Sequence, residues 1–244
     1  MMLNSTVRKL KKSFQLRGVF GTAGFAAGSV VRLLRGGEQA GFRPDQAEDD
    51  QFDREHGVDT GGMVALSALE IDSSNWIHGI CYGPTKTGMF EEMFDGIELR
   101  HEDYIFIDLG SGKGRALMLA SHFPFKKVIG VEFSPDLHRV ASENLLRYSS
   151  PHQRCKDITA VCADAITYRL PEENLVIYLY HPFEEPVMGP VVESLARSVK
   201  QTPRDVFVLY NNPLLGHLFA EAGFVKIKHR TDLNYAVFRT PPLS

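Results

Sequence analysis

Cysteine is scarce in this 244-residue chain, which has only Cys81, Cys155 and Cys162. Three thiols cannot build the multi-bridge framework of a small secreted domain, and their spacing fits no zinc-ligand pattern. They read as ordinary buried thiols in a reducing compartment, and no metal site is expected. Charge of one sign is not in excess either. The net charge is −3 and the pI near 6.3, which excludes a polycation built to coat nucleic acid. Long apolar runs are also missing. The candidate, residues 18–31 (GVFGTAGFAAGSVV), spans 14 residues and holds four glycines. A bilayer-crossing helix needs about 20. What remains is an ordinary globular composition, 43% hydrophobic and 23% charged, at a length that suits one large domain with an extension.

The charge that is present is unevenly placed. Residues 1–43 carry eight basic side chains (Arg8, Lys9, Lys11, Lys12, Arg17, Arg32, Arg35, Arg43) against Glu38 alone. An acidic run follows: Asp45, Glu48, Asp49, Asp50, Asp53 and Glu55. The basic, partly apolar arm reads as a loosely ordered tail, as an anchor lying on a membrane surface or an acidic partner, or as a cleaved leader. The acidic stretch 45–55 reads as a solvated linker. The chain thus divides into an arm (1–44), a linker with a cap or lid (45–98) and a main domain (99–244). A cytoplasmic location is expected, peripheral at the membrane if the arm is an anchor.

From residue 104 onward, short β-rich runs alternate with helical patterns. Strands are expected at 104–109, 127–133, 157–162, 175–180, 206–210, 224–228 and 235–239. Helices are expected from 115, over 135–148 and 186–198, and at 214–222, where Gly223 stops the last. Ser134 is a plausible N-cap and Pro135 fits the first turn of its helix. Strands buried on both faces and separated by helices imply a doubly wound, mostly parallel seven-stranded α/β sheet. The last two strands form a hairpin, so one strand must insert antiparallel at the edge.

The first strand runs into Asp108-Leu109-Gly110-Ser111-Gly112-Lys113-Gly114-Arg115. Glycines permit a tight turn and a close ligand approach, and the following helix offers backbone N–H groups. The spacing is Gly-x-Gly-x-Gly. A dinucleotide fingerprint would need a small residue where Arg115 stands. A phosphate loop would need Ser or Thr after Gly-Lys, where Gly114 stands. Asp108 would repel a pyrophosphate but suits a ligand carrying an ammonium and a sulfonium, such as S-adenosylmethionine (SAM).

On these residues the chain resembles the class I SAM-dependent methyltransferases over 104–240. The resemblance implies that Asp108, Gly110, Ser111, Gly112 and Gly114 wrap the methionine half of the cofactor. Glu132, at the end of the second strand, would accept from the ribose hydroxyls. Asp164 would accept from the adenine amine, with Ala165 beside the ring. Upstream, Tyr82-Gly83-Pro84-Thr85 is similar to a loop that lies over the cofactor in Rossmann-type protein lysine methyltransferases. Tyr82 and Thr85 therefore join the expected cofactor contacts, with residues 79–87 as a lid, and Trp76 and Tyr82 as core if the segment is only a connector. The same upstream block resembles a group of uncharacterised bacterial methyltransferases.

The acceptor should meet the cofactor beyond the carboxyl ends of the strands, where Tyr180-His181-Pro182-Phe183 leaves the fourth. Many N-methyltransferases of this class carry Asp or Asn at the His181 position, so His181 is a departure. It could take a proton or be structural. Tyr180, His181 and Tyr82 are the expected catalytic residues. Asn211 and Asn212 lie on the same rim. The expected activity is methyl transfer to a nucleophile, first to a protein lysine or another protein nitrogen. A small-molecule acceptor, or a SAM-binding regulator without turnover, stays open beside it. An NAD(P) oxidoreductase fits less well, given Asp108 and Arg115. Nucleic acid is not expected as a partner, because the body lacks a basic stripe with interleaved aromatics.

Overall fold

One seven-stranded sheet organises the chain in a computed structural model that describes residues 46–65 and 78–242. The N-terminal arm and Trp76 lie outside those residues. The strands are β1 (Tyr104–Leu109), β2 (Lys127–Glu132), β3 (Ile158–Cys162), β4 (Asn174–Tyr180), β5 (Val206–Asn211), β6 (Val225–Arg230) and β7 (Tyr235–Arg239). Their order across the sheet is β3-β2-β1-β4-β5-β7-β6. The first five pair in parallel, and β7 lies antiparallel to both β5 and β6. The inserted antiparallel strand is therefore β7, one place in from the edge, and β6 forms the edge itself.

Every residue of β1 is buried, as a strand covered on both faces must be. Alternation along the strands feeds two cores. Phe106, Val176, Tyr178 and Phe207 point to one face, and Ile105, Ile107, Ile177 and Val208 to the other. The first face is covered by α1 (Gln46–His56), α2 (Thr87–Glu92) and α3 (Arg115–Ala120), through Phe52, Phe90 and Leu117 among others. The second is covered by α5 (Glu185–Gln201) and α6 (Gly216–Glu221), through Val187, Val191 and Phe219. The helix α4 (Pro135–Arg147) starts as its sequence predicts: Ser134 Oγ accepts from the Leu137 N–H and Pro135 stands in the first turn.

Two expectations need correction. The acidic stretch 45–55 is not a solvated linker, because residues 46–56 form α1, whose Asp49 is 4% exposed and whose Phe52 is buried. A buried carboxylate needs a partner, and it comes from Arg115, 66 positions along the chain. Glu48 and Asp49 in the first turn also suit the positive end of the helix dipole. The cysteines are not uniformly buried either. Cys155 is, whereas Cys81 and Cys162 are exposed. Among the described residues, no helix is long and apolar enough to cross a membrane, and no cluster of His, Cys, Asp and Glu could hold a metal ion.

Candidate active site

The turn between β1 and α3 takes its shape from three glycines with positive φ: +89° at Gly110, +54° at Gly112 and +89° at Gly114. These are left-handed conformations that disfavour any residue with a Cβ. Neighbours crowd two of the three positions. A Cβ on Gly110 would lie 2.6 Å from Pro182 Cβ, and one on Gly112 only 2.2 Å from the Tyr82 ring. The turn is held by backbone bonds. The Gly110 and Ser111 N–H groups both donate to the Val131 carbonyl, at 2.8 and 3.1 Å.

Two carboxylates flank it. Glu132 receives the Gly112 N–H on one oxygen (2.8 Å) and the Ser134 N–H on the other (2.9 Å). Each oxygen keeps a second lone pair for a ligand hydroxyl. Burial nevertheless dominates those bonds and raises its pKa to about 7. Asp108 is 4% exposed and has no hydrogen-bond donor among the described residues. Its pKa is pushed far above the usual carboxylate range, first by burial and then by the neighbouring charge of Glu132. A pair of buried acids, one with no donor among the described residues, would favour a cationic ligand.

The segment before the sheet forms one wall. Tyr82 pairs with Val64 through a short antiparallel bridge, and its ring covers Gly112. The Tyr82 hydroxyl donates to the Thr60 carbonyl at 2.5 Å. Burial raises the pKa of this phenol well above its usual value, so it stays neutral. Lys113 Nζ donates to Asp59 (2.7 Å) and the Gly61 carbonyl (2.9 Å), and lies 5.8 Å from the centre of the Tyr82 ring. Gly79 bridges to Phe183, which ties the same segment to the exit of β4.

On the other side of the turn a narrow cleft runs between Gly79, Gly110, Val131, Phe133, Ala163, Asp164, Ala165, Phe183 and Val187. Three expected cofactor residues, Gly110, Asp164 and Ala165, line it together. Asp164 Oδ1 also accepts from the Ile166 N–H at 2.9 Å, closing its own turn. Phe133, Phe183 and Val187 supply the apolar walls; Phe183 belongs to the tetrapeptide expected at the acceptor end, whereas Phe133 and Val187 were not singled out from the sequence. Phe133 follows the Glu132 strand end directly, a position that could have flagged it.

The sheet alternation separates the expected acceptor residues. Asp108, Tyr178, Tyr180 and Asn211 fall on the face covered by α1 to α3, with Asp108 beside Tyr178 and Tyr180 beside Asn211 in register. Tyr178 OH is within 3.0 Å of Thr85 Oγ1, and the Asn211 amide donates to it at 3.4 Å. Thr85 is thus buried against β4. Burial raises the Tyr180 phenol above its usual range. His181 turns to the opposite face, where its Nδ1 lies 2.8 Å from Tyr210 OH. Burial lowers its pKa, with Glu184 opposing. It is also one of three non-glycine residues with positive φ among those described, at +35°.

The residues present suit a compact, cationic nucleoside. The glycines would let such a ligand approach the backbone, Asp108 would face its charge, Glu132 would keep acceptors for its hydroxyls and the apolar cleft would border a flat ring. A diphosphate would meet two carboxylates instead.

A sequence profile of the family described as Histone methylation protein DOT1 matches residues 66–156, less than half of the chain. No curated protein matches the full sequence significantly. Among solved structures, the ribosomal protein L11 methylase of Lactobacillus delbrueckii subsp. bulgaricus has a TM-score of 0.44 at 14% identity, covering 65% of this chain and 79% of its own. An RNA methyltransferase of Salinibacter ruber, in complex with S-adenosyl-L-homocysteine, has a TM-score of 0.42 at 17% identity, covering 64% and 92%. Precorrin-6y C5,15-methyltransferase of Geobacter metallireducens GS-15 has 0.45 at 15%, covering 64% and 87%.

Proposed function

We propose that this chain is a class I SAM-dependent methyltransferase that methylates a protein nitrogen, foremost a lysine side chain. The buried carboxylate of Asp108 carries the cofactor half of this reading, because it suits a cation and none of the described residues donates to it. The profile match over residues 66–156 supports the acceptor half, since that family is described by histone methylation and the match begins in the block before the sheet.

When bound, SAM supplies an electrophilic methyl group on a sulfonium. The chain's residues would then divide the work of holding the cofactor and admitting the acceptor. Asp108 would balance the cofactor's positive charge, Glu132 would accept from its ribose and the Asp164–Ala165 turn would border its ring. Tyr82 shuts the turn from above. Tyr180, at the carboxyl end of β4, would shape the slot that admits the acceptor nitrogen. Such positioning can contribute about 7–11 kcal/mol to a displacement. A lysine must first lose its proton, and a desolvated, aromatic slot favours its neutral form.

The deciding experiment incubates the protein with methyl-labelled SAM and fractionated cell extract. Label in protein that maps to lysine by mass spectrometry is the expected result. Label confined to nucleic acid or to metabolites would overturn the acceptor assignment.

His181 is expected to act in turnover rather than in cofactor capture. Burial keeps it neutral near pH 7, and a positive-φ residue at the exit of β4 holds strain of a kind concentrated at functional sites. His181→Ala should lower kcat by about 100-fold, the lower bound for losing a proton-handling group, while the SAM Kd stays within about threefold. Unchanged turnover would leave His181 a packing partner of Tyr210.

A further inference from the structure

We propose that Arg115 is a positioning residue. It fastens the strap of residues 57–62, and through it Tyr82, onto the cofactor turn, so that the N-terminal helix α1 governs cofactor affinity. The inference rests on the methyltransferase reading and extends it to a part of the chain outside the glycine-turn domain.

Arg115 is the first residue of α3, directly after Gly114, yet its side chain leaves the sheet and is 2% exposed. Its Nε donates to Thr60 Oγ1 at 2.6 Å. One terminal nitrogen donates to Asp49 Oδ1, and the other reaches the Asp49 carbonyl and Asp53 Oδ1, both at 3.3 Å. The guanidinium also lies 4.7 Å from the centre of the Phe52 ring. Asp53 in turn holds the strap, accepting from the Thr60 N–H (2.8 Å), the Thr60 hydroxyl (2.5 Å) and the Gly61 N–H (2.7 Å). Asn144 of α4 pins the adjoining residue by a pair of bonds to the Asp59 backbone.

The link to the cofactor turn takes three contacts. Arg115 holds the Thr60 hydroxyl, the Thr60 carbonyl holds the Tyr82 hydroxyl at 2.5 Å, and the Tyr82 ring covers Gly112. A cluster serving only to attach α1 would not need to run through Thr60. Only arginine can serve this cluster. Its planar fork offers five donors in fixed directions and four acceptors use them here, whereas lysine has three donors on one atom.

The test compares Thr60→Val with Thr60→Ser, and adds Arg115→Lys. Valine keeps the shape and backbone of Thr60 but removes the hydroxyl that joins Arg115 to the strap, while serine restores it. The SAM Kd from calorimetry should rise about tenfold in Thr60→Val, as expected for a lost bond to a charged group. It should stay within about twofold in Thr60→Ser. The steady-state change should fall on the KM for SAM rather than on kcat. Amide exchange at residues 60–62 and at Gly112 should quicken in Thr60→Val alone, a readout independent of catalysis. Arg115→Lys should match or exceed the valine variant if it folds, and the Thr60 pair decides the matter if it does not. Wild-type SAM affinity and exchange in Thr60→Val would overturn the positioning role while leaving the methyltransferase reading intact. A parent protein that binds no SAM would overturn that reading, and this inference with it.

Discussion

A single methyl group added at Gly112 is expected to close the cofactor site. In Gly112→Ala the new Cβ would lie 2.2 and 2.3 Å from two carbons of the Tyr82 ring, well inside van der Waals contact. The backbone adds a second penalty. At φ +54° alanine sits in the left-handed region, which costs roughly 1–2 kcal/mol. The ring has little freedom to yield, because its hydroxyl is bound to the Thr60 carbonyl and its backbone is paired with Val64. If the turn yields instead, the Gly112 N–H leaves Glu132, and the acceptor proposed for ribose swings with it. Either movement removes a cofactor contact, so calorimetry should show SAM affinity lowered at least about 100-fold, the equivalent of two lost contacts of this size. The melting temperature should also fall by several degrees, at about 2–4 °C per kcal/mol for a chain of this length.

Two further glycines calibrate the effect. Gly114 shares the positive φ, but its Cβ would meet Ala141 at an ordinary 3.4 Å, so Gly114→Ala should show strain with a smaller loss of affinity. Gly189 lies inside α5 with open space around it, and Gly189→Ala should leave binding unchanged and stabilise the helix by up to about 1 kcal/mol. SAM affinity in Gly112→Ala equal to that of the parent would show that the turn does not hold the cofactor.

The sheet and its glycine turn were readable because both are local. Alternation and unbroken apolar runs mark β1 to β5 within their own residues, and Gly-x-Gly-x-Gly after Asp108 needs no distant partner to be recognised. The helix α1 was not readable for the opposite reason. Asp49 and Asp53 look like a solvated charge run until Arg115, more than 60 positions away, is folded against them. Arg115 itself could be read only as an obstacle to a dinucleotide motif. Thr85 shows the same limit, since its side chain is bound to Tyr178 across the fold. The hairpin of β6 and β7 was evident from its turn, but that β7 rather than β6 pairs with β5 depends on how the pair docks. His181 shows what alternation adds. It follows Tyr180 directly, so the two side chains turn to opposite faces, and the His181 ring meets Tyr210.

Removing the charge of Asp108 is expected to move stability and affinity in opposite directions. Its carboxylate is buried, has no donor among the described residues and lies beside Glu132, so it burdens the fold. Asp108→Asn keeps the shape without the charge and should raise the melting temperature of the cofactor-free protein. The same change deletes the counter-charge of a cationic ligand, and SAM affinity should fall about 100-fold or more, in the range seen when a charged hydrogen-bonded partner is lost. The pH dependence follows from Glu132, whose pKa of about 7 stands above its ordinary 4.5. Between those values the folded chain holds a proton that the unfolded chain has released, so stability must fall as pH rises. The contribution is fully lost above pH 7 and amounts to roughly 3 kcal/mol across the window. Binding of a cation runs the other way, because it favours the ionised carboxylates. From pH 6 to pH 8 the melting temperature without cofactor should therefore drop, while the SAM Kd tightens and the stabilisation by a fixed SAM concentration grows. Thermal unfolding across that range, with and without SAM and in both parent and Asp108→Asn, separates the two trends. A variant that is less stable than the parent, or that binds SAM equally well, would mean that this carboxylate already has its cation within the fold.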